Sequence, residues 1–595
     1  MYVLGIHNGH NATACLIKDD EILDCISEER FNHKKNYSGI PKKTLEYILN
    51  KRNLKPTDIA LIGLSYKYGG GFLKDEENAA RLKISKYLFN SLYSAGTAFK
   101  KILTRIEIHS QYIQRLNWFL NSSASKFIKR PGWKSETDQI ADFLSISSDK
   151  IIAFDHHKCH AYSAYFSSPF RQKDALVLTL DGEGDLLCSS VWKARKDKLE
   201  RIAATPANSS LGLLYMSVTQ YLGMKANEHE YKVMGLAPYA KGEKIKLLYD
   251  KIKNIVTLNP NNPLSFKSII DTHLSYRYLK KILEGERFDI IAAAFQKLTE
   301  ERVTEWISKS MEKTGLKRII LSGGVFMNVK ANQKILEKTG VKELFIMPSC
   351  GDESTPIGAA MLAYLQQNSL NKKVISKKLK PLKNLYFGPS FANGEIELFL
   401  QKKGYFNKYK IEKYKEIEKK IAQLLASRKI VARLSGRMEW GARALGNRSI
   451  LAHPSDVKIV RVINDQIKGR DFWMPFAPTI LKERMSNYCL NKKNIQAPYM
   501  IVSFNSTKLA QYELEAAIHQ SDFTLRPQVL QKDWNPKYYK IIKEFEKRTG
   551  IGAVLNTSFN LHGYPIVLGP KEAMWVFQRS KLEYLALENF LISRK

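Results

Sequence analysis

The chain lacks several features that would settle its class at once. No uninterrupted apolar stretch approaches the roughly 20 residues that a membrane-spanning helix needs. The opening Met1-Tyr2-Val3-Leu4-Gly5-Ile6-His7 has no basic segment followed by an apolar run, so no signal peptide is expected. The six cysteines, Cys15, Cys25, Cys159, Cys188, Cys350 and Cys489, form no CxxC pair, which argues against a zinc ribbon or a thioredoxin-type site. Most have apolar neighbours and are expected to be reduced, in a cytoplasmic protein. Acidic residues are short: 58 Asp+Glu stand against 94 Lys+Arg, a formal charge of +36 over 595 residues. That excess fits an anionic partner (nucleic acid, membrane surface, polyanionic glycan or phosphorylated substrate) or a lysine-rich composition with no specific partner. Hydrophobic residues make up 44%, which excludes a mainly disordered chain. The length allows roughly two to four domains.

What is present is an alternation. Short Val/Leu/Ile runs at Tyr2–Ile6, Ala12–Ile17, Ile151–Phe154, Ala175–Leu180, Arg318–Leu321 and Leu344–Met347 are each bounded by turn residues. Helical-period stretches such as Ile291–Met311 and Pro356–Leu365 lie between them. This predicts an α/β architecture with largely parallel sheets. Residues 81–135 differ, with eleven Lys/Arg, the single acid Glu107 and interleaved aromatics. They read as a basic helical insert that contacts a membrane or an anionic acceptor, or as a helical subdomain with inward aromatics and solvated lysines. Residues 366–385 are polar and basic and read as a linker, with a second domain over 386–595 and the first over 1–365.

The chemistry-bearing motifs fall at strand ends. In Asp155-His156-His157-Lys158-Cys159-His160 the i,i+4 spacing of His156 and His160 stacks two imidazoles on one helix face, a two-point metal ligand or a pair of surface histidines. Thr179-Leu180-Asp181-Gly182-Glu183-Gly184-Asp185 runs from a strand into alternating acids and glycines. Gly182 and Gly184 would let backbone N–H groups approach phosphate, although Asp-Gly also makes hairpin turns. Leu321-Ser322-Gly323-Gly324-Val325-Phe326-Met327-Asn328 suits a glycine turn against a nucleotide through Gly323, Gly324 and Asn328, or a plain strand-to-helix turn. In Pro348-Ser349-Cys350-Gly351-Asp352, Asp352 stands at the carboxyl edge of the sheet, as a ligand-site carboxylate or a helix cap. The turn after the first strand holds His7, Asn8, Gly9, His10 and Asn11, and a histidine there, with His10 put forward, is a candidate general base or a capping or turn residue. Together these motifs resemble the duplicated nucleotide-binding core of actin-like ATPases and sugar kinases.

The chain as a whole resembles the O-carbamoyltransferases of the nodulation, cephamycin and tobramycin type. The resemblance is carried in order by His156…His160-Ala161-Tyr162-Ser163-Ala164-Tyr165-Phe166, by Glu230-Tyr231-Lys232-Val233-Met234-Gly235-Leu236-Ala237-Pro238-Tyr239, by the run Ser435 to Ile450 around Gly436-Arg437-Met438-Glu439, and by Leu555-Asn556-Thr557-Ser558-Phe559-Asn560. It implies a TsaD-like, actin-type ATPase first domain and a YrdC-like α/β second domain. It implies a reaction in which carbamoyl phosphate and ATP give carbamoyl adenylate in the second domain, with transfer to an acceptor hydroxyl in the first. By the same resemblance His156, His160, Asp352 and Asp181 are metal ligands, His10 activates the acceptor and Lys232 lies near the nucleotide. The metal is expected to be Fe2+, with Mn2+, Zn2+ and Mg2+ as alternatives, because ligand type does not select among them. Arg437, Arg443, Arg448, Lys468, Arg470 and Arg526 offer cations for carbamoyl phosphate and ATP, and Asn556 and Ser558 offer further polar groups.

The acceptor is expected to be a small molecule or glycan with a free hydroxyl, with no nucleic acid and with a homodimer left open. The chain departs from the family pattern at Asn11, Met474 and His562 and in Glu353-Ser354-Thr355-Pro356, where Ala-Gly-Thr-Ala is usual. Two alternatives stay open: a tRNA-modifying threonylcarbamoyl transferase and a degenerate nucleotide-binding scaffold. A metallopeptidase is disfavoured because no glutamate separates the two histidines.

Overall fold

The computed structural model describes residues 1–19, 21–67, 135–370 and 380–595. It divides into one unit of residues 1–67 and 152–595 and another of residues 68–151. In the smaller unit the helix Glu136–Leu144 is capped by Ser135, whose Oγ accepts the Asp138 N–H at 3.1 Å. The basic insert lies outside the described residues except for Ser135, as do residues 371–379 of the expected linker; its first residues continue the helix Thr355–Leu370.

Two five-stranded sheets build the first part of the larger unit. Strands β1 (Tyr2–His7), β2 (Thr13–Lys18), β3 (Glu21–Ser27), β4 (Ile59–Leu64) and β5 (Ile151–Ala153) stand in the order β3-β2-β1-β4-β5. The second sheet uses β6 (Ala175–Gly184), β7 (Leu187–Arg195) and β8 (Lys198–Pro206). After the hairpin of β9 (Val256–Asn259) and β10 (Asn262–Ser268), it takes in β11 (Arg318–Ser322) and β12 (Glu343–Ile346). Its order β8-β7-β6-β11-β12 repeats that of the first sheet. This duplicated α/β arrangement is the one expected of the actin-type core.

Both sheets are mixed. In each, three consecutive strands joined by short turns run antiparallel, and β4 then pairs with β1, and β11 with β6, in parallel. A short turn can only reverse a chain, so the expected parallel pairing holds only after the crossovers. The acid–glycine segment 181–184 belongs to strand β6. The reversal falls at Asp185 and Leu186, with φ of 49° and 70°, as in a two-residue hairpin.

The 27-residue helix Phe288–Thr314 buries Ile291, Phe295, Leu298 and Trp306, the spacing of one helical face. The helices His156–Ser167 and Thr355–Leu370 cross so closely that a Cβ at Gly358 would strike the Cys159 carbonyl oxygen. That crossing brings the starts of the two helices together.

An eight-stranded sheet organises residues 409–594. Its strands are β13 (Tyr409–Lys413), β14 (Val431–Leu434), β15 (Arg448–Ala452), β16 (Ala477–Leu481), β19 (Gln528–Leu530), β20 (Ala553–Ser558), β21 (Tyr584–Leu587) and β22 (Phe590–Arg594), in the order β13-β22-β21-β14-β15-β20-β16-β19. The two short strands β17 (Phe504–Asn505) and β18 (Thr524–Leu525) pair outside it. Arg437 Nη2 reaches back to Asp24 Oδ1 at 2.8 Å, and Arg30 Nη2 donates to the Gly441 carbonyl at 2.9 Å. All six cysteines are buried as free thiols.

Candidate functional site

The sheet ends converge on one cluster. Asp155 caps the helix His156–Ser167 by accepting the Lys158 N–H at 2.7 Å, and that helix start carries His156 and His160. Strand β6 supplies Asp181, and the turn after β12 supplies Asp352. His160 Nε2 and His156 Nε2 lie 3.0 and 3.3 Å from Asp181 Oδ2, and 3.6 and 3.5 Å from Asp352 Oδ1. Among the described residues these four form one potential metal-binding group, their ligand atoms all within 4.8 Å of one another. Donors about 2.0–2.2 Å from a single ion sit roughly 3–3.5 Å apart, so this set fits a divalent cation. Both imidazoles are fully buried. Burial opposes their charge, but hydrogen bonds to Asp181 and Asp352 outweigh it and raise both. The same histidines hold Asp352 well below the usual carboxylate range against its own burial.

Supporting groups orient the four. Asp181 Oδ1 accepts the N–H groups of Gly182 and Gly324 at 2.8 and 3.2 Å. These two glycine amides, expected to face phosphate, face the carboxylate of Asp181. Gly323 has φ of 104°, which a side chain would strain. Gly184 is a packing site: a Cβ there would overlap the His156 ring. His160 Nδ1 lies 3.2 Å from Ser322 Oγ, the kind of partner that fixes a metal-ligand tautomer. Asn328 caps the helix Val329–Lys338 through the Ala331 N–H and exchanges amide hydrogen bonds with Gln296.

At the N-terminal turn, His7 Nε2 is 3.6 Å from Asp352 Oδ2, and the backbone carbonyl of His10 accepts from His7 Nε2 at 2.9 Å. Burial, set against the attraction of Asp352, lowers His7 to about 4, so it is neutral. Tyr66, at the end of β4, stacks on His156 at 4.9 Å and points its hydroxyl at Asp352 Oδ2, 3.5 Å away. Of the two histidines of this turn the sequence reading put His10 forward, and it passed over Tyr66, whose one signal is that it follows β4, the parallel neighbour of β1. Asn11 has φ of 62°, a left-handed turn that asparagine tolerates well.

The six cations of the second half divide into three kinds. Arg437 donates to Asp24 and to the carbonyls of Leu23, Phe387 and Gly388. Arg448, fully buried, donates to the carbonyls of Leu568, Ser435, Gly436, Asn447 and Pro389. Burial lowers it to about 10. These two, expected to clamp phosphate, give their donors to Asp24 and to backbone carbonyls around the segment 435–448. Lys468 donates to the Ser558 carbonyl and to Asn560 Oδ1, so it holds the Asn556–Asn560 segment. Asn556 gives its amide to the Ala444 carbonyl at 3.1 Å, and its own oxygen is buried without a partner.

Arg443, Arg470 and Arg526 remain. Burial first, then mutual repulsion with Arg443 and Arg470, holds Arg526 well below the guanidinium range. Arg443 Nε is buried with no hydrogen-bond partner. The three guanidinium groups lie within electrostatic range of one another, an arrangement that can attract an anion. Beside them Lys232 pairs with Asp471 at 2.9 Å. The arginine loop docks on the turn that carries Asp352, with the Ala442 N–H donating to Ser349 Oγ at 3.1 Å.

Comparison with known proteins gives two family matches, the carbamoyltransferase N-terminus over residues 2–361 and the carbamoyltransferase C-terminus over residues 422–594. An uncharacterized protein of Methanocaldococcus jannaschii is 34% identical over 100% of this chain and 99% of its own. Nodulation protein NolNO of Sinorhizobium fredii is 27% identical over 98% of this chain and 79% of its own. Among solved structures, component A of the (R)-2-hydroxyglutaryl-CoA dehydratase of Acidaminococcus fermentans is 14% identical, covering 62% of this chain and 98% of its own with a TM-score of 0.34. With matched motifs in both halves and a duplicated α/β core ahead of an eight-stranded sheet, the chain belongs to the carbamoyltransferase family.

Proposed function

We propose that the protein is an ATP-dependent O-carbamoyltransferase acting on a sugar or natural-product hydroxyl. Water displaces orthophosphate from carbamoyl phosphate to leave carbamate, whose oxygen then bonds to the α-phosphorus of ATP as pyrophosphate leaves, forming carbamoyl adenylate. The acceptor oxygen then bonds to the carbamoyl carbon, and AMP leaves. The observation that carries this reading is the docking of the Arg443 loop on the Asp352 turn. It sets an anion site beside a carboxylate–imidazole cluster, so an activated carbamoyl group made at one has a short path to the other.

In this reading Arg443, Arg470 and Arg526 bind the phosphates, with Lys468 shaping the loop beneath them. His156, His160, Asp181 and Asp352 hold a divalent metal, Fe2+ by expectation. When bound, that metal supplies positive charge that improves AMP as a leaving group. His7 and Tyr66 keep Asp352 in place, and His10 stands at the acceptor side. The 1–365 part transfers and the 386–595 part activates. Among the described residues no helix is long and apolar enough to cross a membrane.

The test is release of AMP and pyrophosphate that depends on carbamoyl phosphate and on a hydroxylated acceptor. A folded, metal-loaded chain that releases no AMP with any member of a broad acceptor panel would overturn the reading.

A further inference from the structure

Glu353 follows the ligand Asp352 and is 5% exposed. A buried carboxylate is costly unless every oxygen is used. One oxygen of Glu353 accepts the Ser349 hydroxyl, while Oε2 is buried with no hydrogen-bond partner. Ser349 Oγ, itself donating to Glu353, accepts the Ala442 N–H at 3.1 Å. One hydroxyl thus links both loops, as its single hydrogen and two lone pairs allow. The contact is tight: a Cβ at Gly441 would lie 2.6 Å from Ser349 Cβ. On the far side Arg30 fixes the Gly441 carbonyl. The next residue is Arg443, which lies within electrostatic range of Glu353 and has a buried, unpartnered Nε. Asp352, Glu353, Ser349, Ala442 and Arg443 therefore make a continuous link, two hydrogen bonds long, between a metal ligand and an anion ligand.

We propose that Glu353 is a positioning residue that couples the two sites, so that a metal at the histidine–aspartate cluster and an anion at the arginine cluster strengthen or weaken each other through the Glu353–Ser349–Ala442 link. The inference rests on the reading of the two clusters given above. Nothing in it requires Glu353 to touch the substrate. The coupling arises because a shift of the Asp352 turn moves Ser349 and, with it, the backbone that presents Arg443.

The full chain is titrated with Mn2+ in the absence and presence of saturating sulfate, a phosphate-like anion that chelates Mn2+ only weakly, and with sulfate in the absence and presence of Mn2+. Both orders must give one coupling factor, expected at about tenfold. Glu353→Ala and Ser349→Ala are expected to bring that factor to within twofold of unity, while Mn2+ alone still binds. Glu353→Gln can still accept the Ser349 hydroxyl and is expected to keep the coupling, whereas Glu353→Met, of similar size but with no acceptor for that hydroxyl, is expected to lose it, which a bulk packing role would not predict. If Glu353→Ala fails to fold in a thermal melt, Ser349→Ala decides. Full coupling in a folded Ser349→Ala variant, or none in the wild type with both probes bound, would overturn the proposal. Failure of the wild type to bind either probe would refute the underlying site reading and the proposal with it.

Discussion

Replacing Gly184 by alanine is expected to abolish tight divalent-cation binding at the proposed histidine–aspartate site with little loss of fold. A Cβ at residue 184 would lie 2.6 Å from His156 Nε2, the ligand atom, and closer still to ring carbons Cδ2 and Cγ. Ordinary contact is about 3.4 Å or more and Cδ2 would stand at 2.0 Å, so the ring or the β6 strand must give by roughly 1.4 Å. His156 is fully buried, leaving the ring no open space to swing into. Overpacking of this kind costs about 1–3 kcal/mol. Metal–ligand distances tolerate only about 0.2 Å, so a displaced His156 leaves three ligands. Outer-shell changes alone cost 10–100-fold in affinity, and Gly184→Ala should weaken Mn2+ binding by about 100-fold or more. Gly182→Ala is the control, because its Cβ would meet only Leu213 Cδ2 at 3.8 Å. It should bind Mn2+ as the wild type does. The assay is Mn2+ titration with metal content by mass spectrometry, alongside thermal unfolding. A folded Gly184→Ala protein that binds Mn2+ within twofold of the wild type would refute the reasoning.

Three more outcomes follow from the arginines and from one histidine. Arg526→Gln should weaken pyrophosphate binding by about 10–100-fold, the worth of a charge-assisted hydrogen bond, and should leave the melting temperature unchanged or raised as repulsion with Arg443 and Arg470 is relieved; unchanged affinity would contradict an anion site there. Arg448→Lys should destabilise the chain by roughly 2–5 kcal/mol in denaturant unfolding, since at least two of its five buried carbonyls lose their donor; a loss below 1 kcal/mol would show that water replaces the guanidinium. His519 donates from Nε2 to the Gly235 carbonyl at 2.9 Å and accepts the Ser521 N–H at Nδ1, a neutral imidazole. Burial lowers it from 6.5, so the folded chain binds fewer protons than the unfolded one; its contribution is whole above pH about 6.5 and is lost as pH falls toward the lowered value. His519→Gln should flatten that slope in melts between pH 7 and 5, and an unchanged slope would assign it elsewhere.

The strand starts, the helix periods and the His156/His160 pair were legible because each is local: two periodicities and one i,i+4 spacing place them. Asp352 was legible as a carboxylate at a strand's carboxyl end. The division among the arginines was not. Arg437, Arg443 and Arg448 share one glycine-interleaved run, yet the carbonyls that occupy the outer two come from residues 23, 388, 389 and 568 among others. No spacing rule reports such distant partners. His7 and His10 differ by three positions in one turn, and no spacing rule tells that the imidazole at the end of β1 comes within 3.6 Å of Asp352, some 345 residues on. The hairpin at Asp185–Leu186 was obscured because a positive φ at leucine has no composition signal.

The order of the eight-stranded sheet also bears on how the protein is made. Among the described residues β13 has β22 as its sole neighbour, and the two are separated by about 180 residues. At 5–20 residues per second, the ribosome takes roughly 10–35 s to deliver the partner. Through that interval Tyr409–Lys413 has an open edge, the hazard that drives strand-to-strand aggregation. Its sequence, Tyr-Lys-Ile-Glu-Lys, carries a charge at three of five positions. The nascent strand can therefore wait in water, and substitutions that make it more apolar should lower the yield of native protein without touching either candidate site.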